Sequence, residues 1–135
     1  MTEKEKELQF FIMDWNYNLK RIKTLKEQIA EMNISITQRL DIAGGGGGNW
    51  NTSKIEFFYL KKEKKELELK ELQKKVDDIN YVLESKLLKD VEKGTIRCIM
   101  KKESLSKYAE QQGIYLSYVY KIKENAIKKM AKHIS

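Results

Sequence analysis

Residues 104–130 read SLSKYAEQQGIYLSYVYKIKENAIKKM. Ala109 is followed four residues later by Gly113, and apolar side chains then resume at Ile114, Leu116, Val119 and Ile122. A small side chain at 109 lets a second helix approach closely. Gly113 is free to take the left-handed conformation in which a chain leaves a helix. Val119 and Ile122 are placed to pin the following helix over the first. This is helix-turn-helix spacing: two short helices crossed at a tight turn. Ser104 supplies a cap for a helix over 104–112 that buries Leu105, Tyr108 and Ala109. The periodicity predicts a last helix over 116–132 that buries Val119, Ile122, Ala126, Ile127 and Met130. A plain helical corner shares parts of this pattern, so the outer face and the charge have to discriminate.

With Val119, Ile122, Ala126 and Met130 turned inward, Tyr118, Lys121, Asn125 and Lys128 fall on the opposite stripe, and Ser117 and Tyr120 flank it near the helix start. Side chains of these types meet base edges and phosphates in a major groove. Lys101, Lys102 and Lys107 are placed to hold the DNA backbone from the side. The predicted DNA-binding set is therefore Lys101, Lys102, Lys107, Ser117, Tyr118, Tyr120, Lys121, Asn125 and Lys128. It contains no arginine fork for guanine, which implies modest sequence selectivity and a large salt-dependent part of the affinity.

The charge distribution points the same way. The chain of 135 residues carries +7, but residues 1–43 hold seven basic and seven acidic side chains, and residues 44–93 hold eleven and ten. Residues 94–135 hold nine and three, a net of +6. A field of that sign on one third of the chain favours a polyanion; a basic surface kept for solubility has the same composition.

Upstream the pattern is that of long helices. Leu8, Trp15, Ile22, Ile29 and Ile36 recur every seven positions, with Phe11, Leu25 and Met32 interleaved and Asn18 and Arg39 as polar exceptions. This predicts one helix over 3–42 with a coiled-coil seam. Gly44 to Gly48 then forbid a continuous helix and read as a flexible turn, with Thr52 and Ser53 as caps for a second helix over 53–91. Ile55, Phe58, Leu69, Leu72, Val76, Ile79 and Leu83 keep heptad spacing there, interrupted by Lys62 and Lys65, while Phe57, Tyr59, Leu60 and Leu67 offer another face. Two arms of similar length around a glycine turn predict an antiparallel hairpin. Gly94-Thr95 reads as a break, with Thr95 capping a short helix over 96–101. The expected fold is all-α: a long helical hairpin over 1–93 and a helix-turn-helix unit over 94–135. A pair of helices buries only one stripe of each, so self-association through the hairpin, or docking on a larger protein, is expected.

Other chemistries find little support. Cys98 is the only cysteine and His133 the only histidine. No second group completes a metal site or a nucleophile–base pair, so neither enzymatic activity nor a cofactor is expected. The apolar neighbours of Cys98 predict a buried structural thiol. Met1 to Glu7 lack the apolar core of a signal peptide, and no apolar run approaches the ~18 residues that span a bilayer. The expectation is a soluble cytoplasmic protein with no membrane partner.

Ala109-Glu-Gln-Gln-Gly113-Ile114, then Val119, Ile122 and Ala126-Ile-Lys-Lys-Met130, resembles region 4 of bacterial sigma factors without a gap. The wider plan is similar to small phage-encoded sigma-like regulators of the RinA and ArpU type. The motif match covers residues 95–131; the remainder matches in layout only. The resemblance implies a phage or prophage late-gene activator whose segment Leu116 to Lys128 reads promoter DNA and which acts with host RNA polymerase. Two departures stand out. Sigma-like units usually carry Ser or Thr after the turn, where this chain has Tyr115, and their reading helix is usually rich in arginine. Two other readings compete: an interaction protein that binds a host protein through its hairpin, and a DNA-packaging recognition subunit, though such subunits commonly place the DNA unit first in the chain.

Overall fold

The structure, a computed structural model, describes residues 1–44 and 52–134, and the side chains of 1–35 and 54–134. The described residues are all-helical, in six helices: α1 (Glu3–Met13), α2 (Trp15–Gly44), α3 (Thr52–Glu84), α4 (Asp90–Met100), α5 (Leu105–Gln112) and α6 (Leu116–His133). Gly44 closes α2. The rest of the glycine run expected as a turn, Gly45 to Gly48, and Asn49 to Asn51 lie outside the described residues. Thr52 and Ser53, expected as caps, are instead the first two residues of α3.

The single helix expected over 3–42 is broken at Asp14, whose backbone leaves helical geometry (φ −96°, ψ 24°). Heptad spacing runs unaltered from Leu8 to Trp15, so the pattern gave no sign of it. The last carbonyls of α1 lose their intrahelical donors there, and Asn18 Nδ2 donates to the Phe11 carbonyl at 3.0 Å. Asn18, a polar exception on the seam, is buried for this reason. α1 opens with a reciprocal cap: Glu5 N–H donates to Thr2 Oγ1, and Thr2 N–H to Glu5 Oε2.

The helix expected over 53–91 ends at Glu84. Ser85 Oγ donates to the Val82 carbonyl and accepts from Leu87 N–H, a local alternative to continuing the helix. The expected break at Gly94-Thr95 is absent: α4 runs through both residues. Thr95 does not cap a helix; its hydroxyl donates back to the Val91 carbonyl at 2.8 Å. Gly94 instead makes room, because the Tyr108 hydroxyl lies where a Cβ at 94 would be and donates to the same Val91 carbonyl at 3.0 Å.

The chain divides into two compact units. One is Lys20–Gln73, where the paired stretches of α2 and α3 run antiparallel, with Arg21 opposite Glu68 and Gln28 opposite Lys65. Arg21 grips Glu68 with two hydrogen bonds, of 2.8 and 3.1 Å, and Lys65 donates to Gln28 at 2.8 Å. Ile22 and Leu25 are buried on this seam. The other unit joins Met1–Leu19 to Lys74–Ser135. α4, α5 and α6 all fall within this unit. Within it α4 packs on α5 and α6, and α1 packs on α4 and α6. Ile12, Ile79, Ile96, Val119, Ile127 and Met130 are fully buried, each contributing about 1.5–3 kcal/mol relative to exposure.

Among the described residues no helix is long and apolar enough to cross a membrane.

Candidate nucleic-acid interface

α4 ends in a left-handed residue, Lys102 (φ 56°). Lys102 N–H donates to Ile99 and Glu103 N–H to Cys98, the paired bonds that close a helix end in this conformation. No glycine marked this turn. Cys98 is buried beside it, its Sγ 3.5 Å from the Glu103 carbonyl oxygen. Burial pushes its thiol above the usual range, the Glu103 carboxylate adds to this, and Lys101 opposes it. The thiol is therefore protonated at neutral pH and serves packing, as its apolar neighbours suggested.

α5 is capped by Ser104, whose hydroxyl accepts from Lys107 N–H. It closes on Gly113 (φ 67°), with Gly113 N–H on Glu110 and Ile114 N–H on Ala109. Ala109 is buried as expected; Leu105 and Tyr108 are half-buried. Tyr115 then takes the extended backbone of a helix cap (φ −73°, ψ 147°) with no side-chain cap bond. Its carbonyl accepts from Tyr118 and Val119. The turn thus needs nothing from the Tyr115 ring, which is 85% exposed.

α6 buries Val119, Ile122, Ala126, Ile127, Met130 and Ala131 along one side. A salt bridge ties it to α4. Lys129 Nζ donates to Glu92 Oε1 at 2.8 Å, and the same oxygen accepts from Lys89 N–H at the start of α4. Glu92 is buried, and its Oε2 has no hydrogen-bond partner. The bond spends the Lys129 charge within the protein.

All nine predicted contact residues are exposed. Ser117, Tyr118, Lys121, Asn125 and Lys128 share the outward side of α6, since they recur at three- and four-residue steps. Tyr120 is turned to the flank, where Lys123 Nζ lies 5.2 Å from its ring centre. Lys107 stands on the first turn of α5, and Lys101 and Lys102 occupy the turn before it, on other elements than the stripe. Tyr115 belongs with the α6 residues, although sequence reasoning read it only as a missing cap. With Gly113, Ile114, Ser117, Tyr118 and Lys121 it lines an open depression of about 330 Å³ at the head of α6. α6 carries five lysines and one glutamate, Glu124, so the exposed side has a positive field broken at one position.

No protein-family model, curated protein or solved structure matches the chain.

Proposed function

We propose that the chain is a regulator of transcription that binds duplex DNA by laying α6 in the major groove. One observation carries the reading: a stripe of Ser117, Tyr118, Lys121, Asn125 and Lys128 stands open to solvent on a helix whose opposite side is fixed in the core by Val119, Ile122, Ala126 and Met130. Lysines steer the helix to phosphates, while the serine, tyrosine and asparagine reach base edges. The resemblance of Ala109 to Met130 to sigma region 4 supports a role at promoters, as a phage or prophage late-gene activator with RNA polymerase as protein partner. The test is a double charge reversal, Lys121→Glu with Lys128→Glu, assayed by electrophoretic shift on promoter DNA bound by the native chain. The shift is expected to disappear while the circular dichroism spectrum is retained. A shift of undiminished strength overturns the assignment.

A second role is favoured by the other unit. Phe57, Leu60 and Leu67 are 60%, 55% and 58% exposed on α3, three large apolar side chains on one helix that stay open to solvent among the described residues. They support association through the hairpin with a protein, a second copy of this chain included. Leu60→Glu with Leu67→Glu should then release that partner, measured as solution mass or pull-down, and leave DNA binding intact.

A further inference from the structure

The head of α6 offers little that reads guanine and much that reads an A·T pair. No arginine occurs after Arg97, so the stripe lacks the planar fork that most often contacts guanine. Lys121 is the one cation near the head of the stripe, and a flexible ammonium serves a phosphate as well as a base. Glu124, an acceptor suited to cytosine N4, lies next to the stripe. It falls one helical turn after Tyr120, on the flank that ring occupies.

Thymine's C5-methyl is the one apolar group that base pairs present in the major groove. Tyr118, 55% exposed, and Tyr115, 85% exposed, line the depression together with Ile114. Neither ring is needed to cap or close the turn. Asn125 follows Tyr118 by seven residues, two helical turns along the same side and about 10 Å on. Its carboxamide has the donor and acceptor that match adenine N6 and N7.

We infer that this protein selects A·T pairs, with Tyr118, supported by Tyr115 and Ile114, packing on a thymine methyl and Asn125 pairing with adenine. The inference rests on the DNA-binding reading and adds the class of sequence read. The full chain is used to select duplexes from a randomised library, and the enriched site is then resynthesised with uracil in place of thymine, one position at a time. Enrichment of A·T pairs is expected, with at least one thymine whose methyl is worth about fourfold in affinity, the effect of burying one methyl-sized group. Tyr118→Ser should bring the thymine-to-uracil ratio at that position to one, whereas Tyr118→Phe should keep it. Tyr118 is exposed, so both variants are expected to retain the native melting temperature. A G·C-rich site, indifference to every thymine methyl, or discrimination that survives Tyr118→Ser overturns the inference while leaving DNA binding in place. Failure of the native chain to enrich any duplex overturns the DNA-binding reading and the inference with it.

Discussion

The Tyr108 hydroxyl stands over Gly94, in the space where any other residue would place its Cβ, and donates to the Val91 carbonyl one turn earlier in α4. Thr95 donates to that same carbonyl. The contact sets how closely α5 lies on α4, and so where the turn into α6 begins. Gly94→Ala should destabilise the protein by about 1–3 kcal/mol, because the hydroxyl must leave its half-buried acceptor or α5 must shift. Tyr108→Phe in the same chain removes the closest of the colliding atoms and leaves the tighter-than-usual ring contact. The double variant should then melt higher than the sum of the single losses, by thermal denaturation followed at 222 nm. Strict additivity would mean that the two residues do not meet.

The break between α1 and α2 makes a separate prediction. Asn18 Nδ2 supplies the donor for the Phe11 carbonyl, and Asn18 is 8% exposed. Asn18→Leu improves the heptad seam by sequence rules yet leaves that carbonyl without its partner. Urea unfolding should show a loss of about 1–2 kcal/mol. A gain in stability would mean that the seam continues as one helix and that the break at Asp14 has no structural weight.

These two cases show what the amino-acid pattern could and could not reveal. The α5–turn–α6 corner was legible because its determinants are local: Gly113 for the left-handed turn, Ser104 for the cap, and the spacing of Val119, Ile122, Ala126 and Met130 for the buried side. The candidate contact stripe followed from the same spacing. The breaks at Asp14 and after Glu84 carry no glycine or proline, the apolar repeat runs unaltered across the first, and what satisfies them is a side chain several residues away or a single serine. Gly94 was misread because its reason is a tyrosine fourteen positions later in the chain. Tyr115 was legible only as a residue that does not cap. Its exposure became visible once backbone geometry showed that the turn closes without it.

In the Lys20–Gln73 unit, Arg21 and Glu68 predict a response to acid. Hydrogen bonding from Arg21 holds the Glu68 carboxyl below its ordinary value of 4.5, against the opposing effect of burial, with the charges of Arg21 and Lys65 adding to the shift. A carboxyl depressed in the folded state stabilises that state above its unfolded pKa, and the contribution is lost as pH falls through the lower folded value. Both side chains are a third or more exposed, so the contribution is below about 1 kcal/mol and shrinks with salt. Glu68→Gln should be less stable than the native chain at pH 7 and should lose less stability between about pH 5 and pH 3. Parallel acid titrations of helicity at low salt check this, and identical profiles would show that the pair has no energetic weight.

The neighbours Lys128 and Lys129 separate the DNA-binding reading from generic basicity. Lys128 is exposed on the outward stripe, whereas Lys129 donates to the buried Glu92, whose other oxygen already lacks a partner. Each lysine that neutralises a phosphate on duplex DNA steepens the dependence of log affinity on log salt by about 0.9. Lys128→Gln should therefore flatten that slope by about this amount and leave the melting temperature unchanged. Lys129→Gln should leave the slope unchanged and cost about 1–3 kcal/mol of stability, since a buried carboxylate loses its charged donor. Fluorescence anisotropy titrations between 50 and 200 mM salt, paired with melts of each variant, distinguish the two residues. Equal flattening by both substitutions would mean that only net charge matters and that α6 has no preferred side toward DNA.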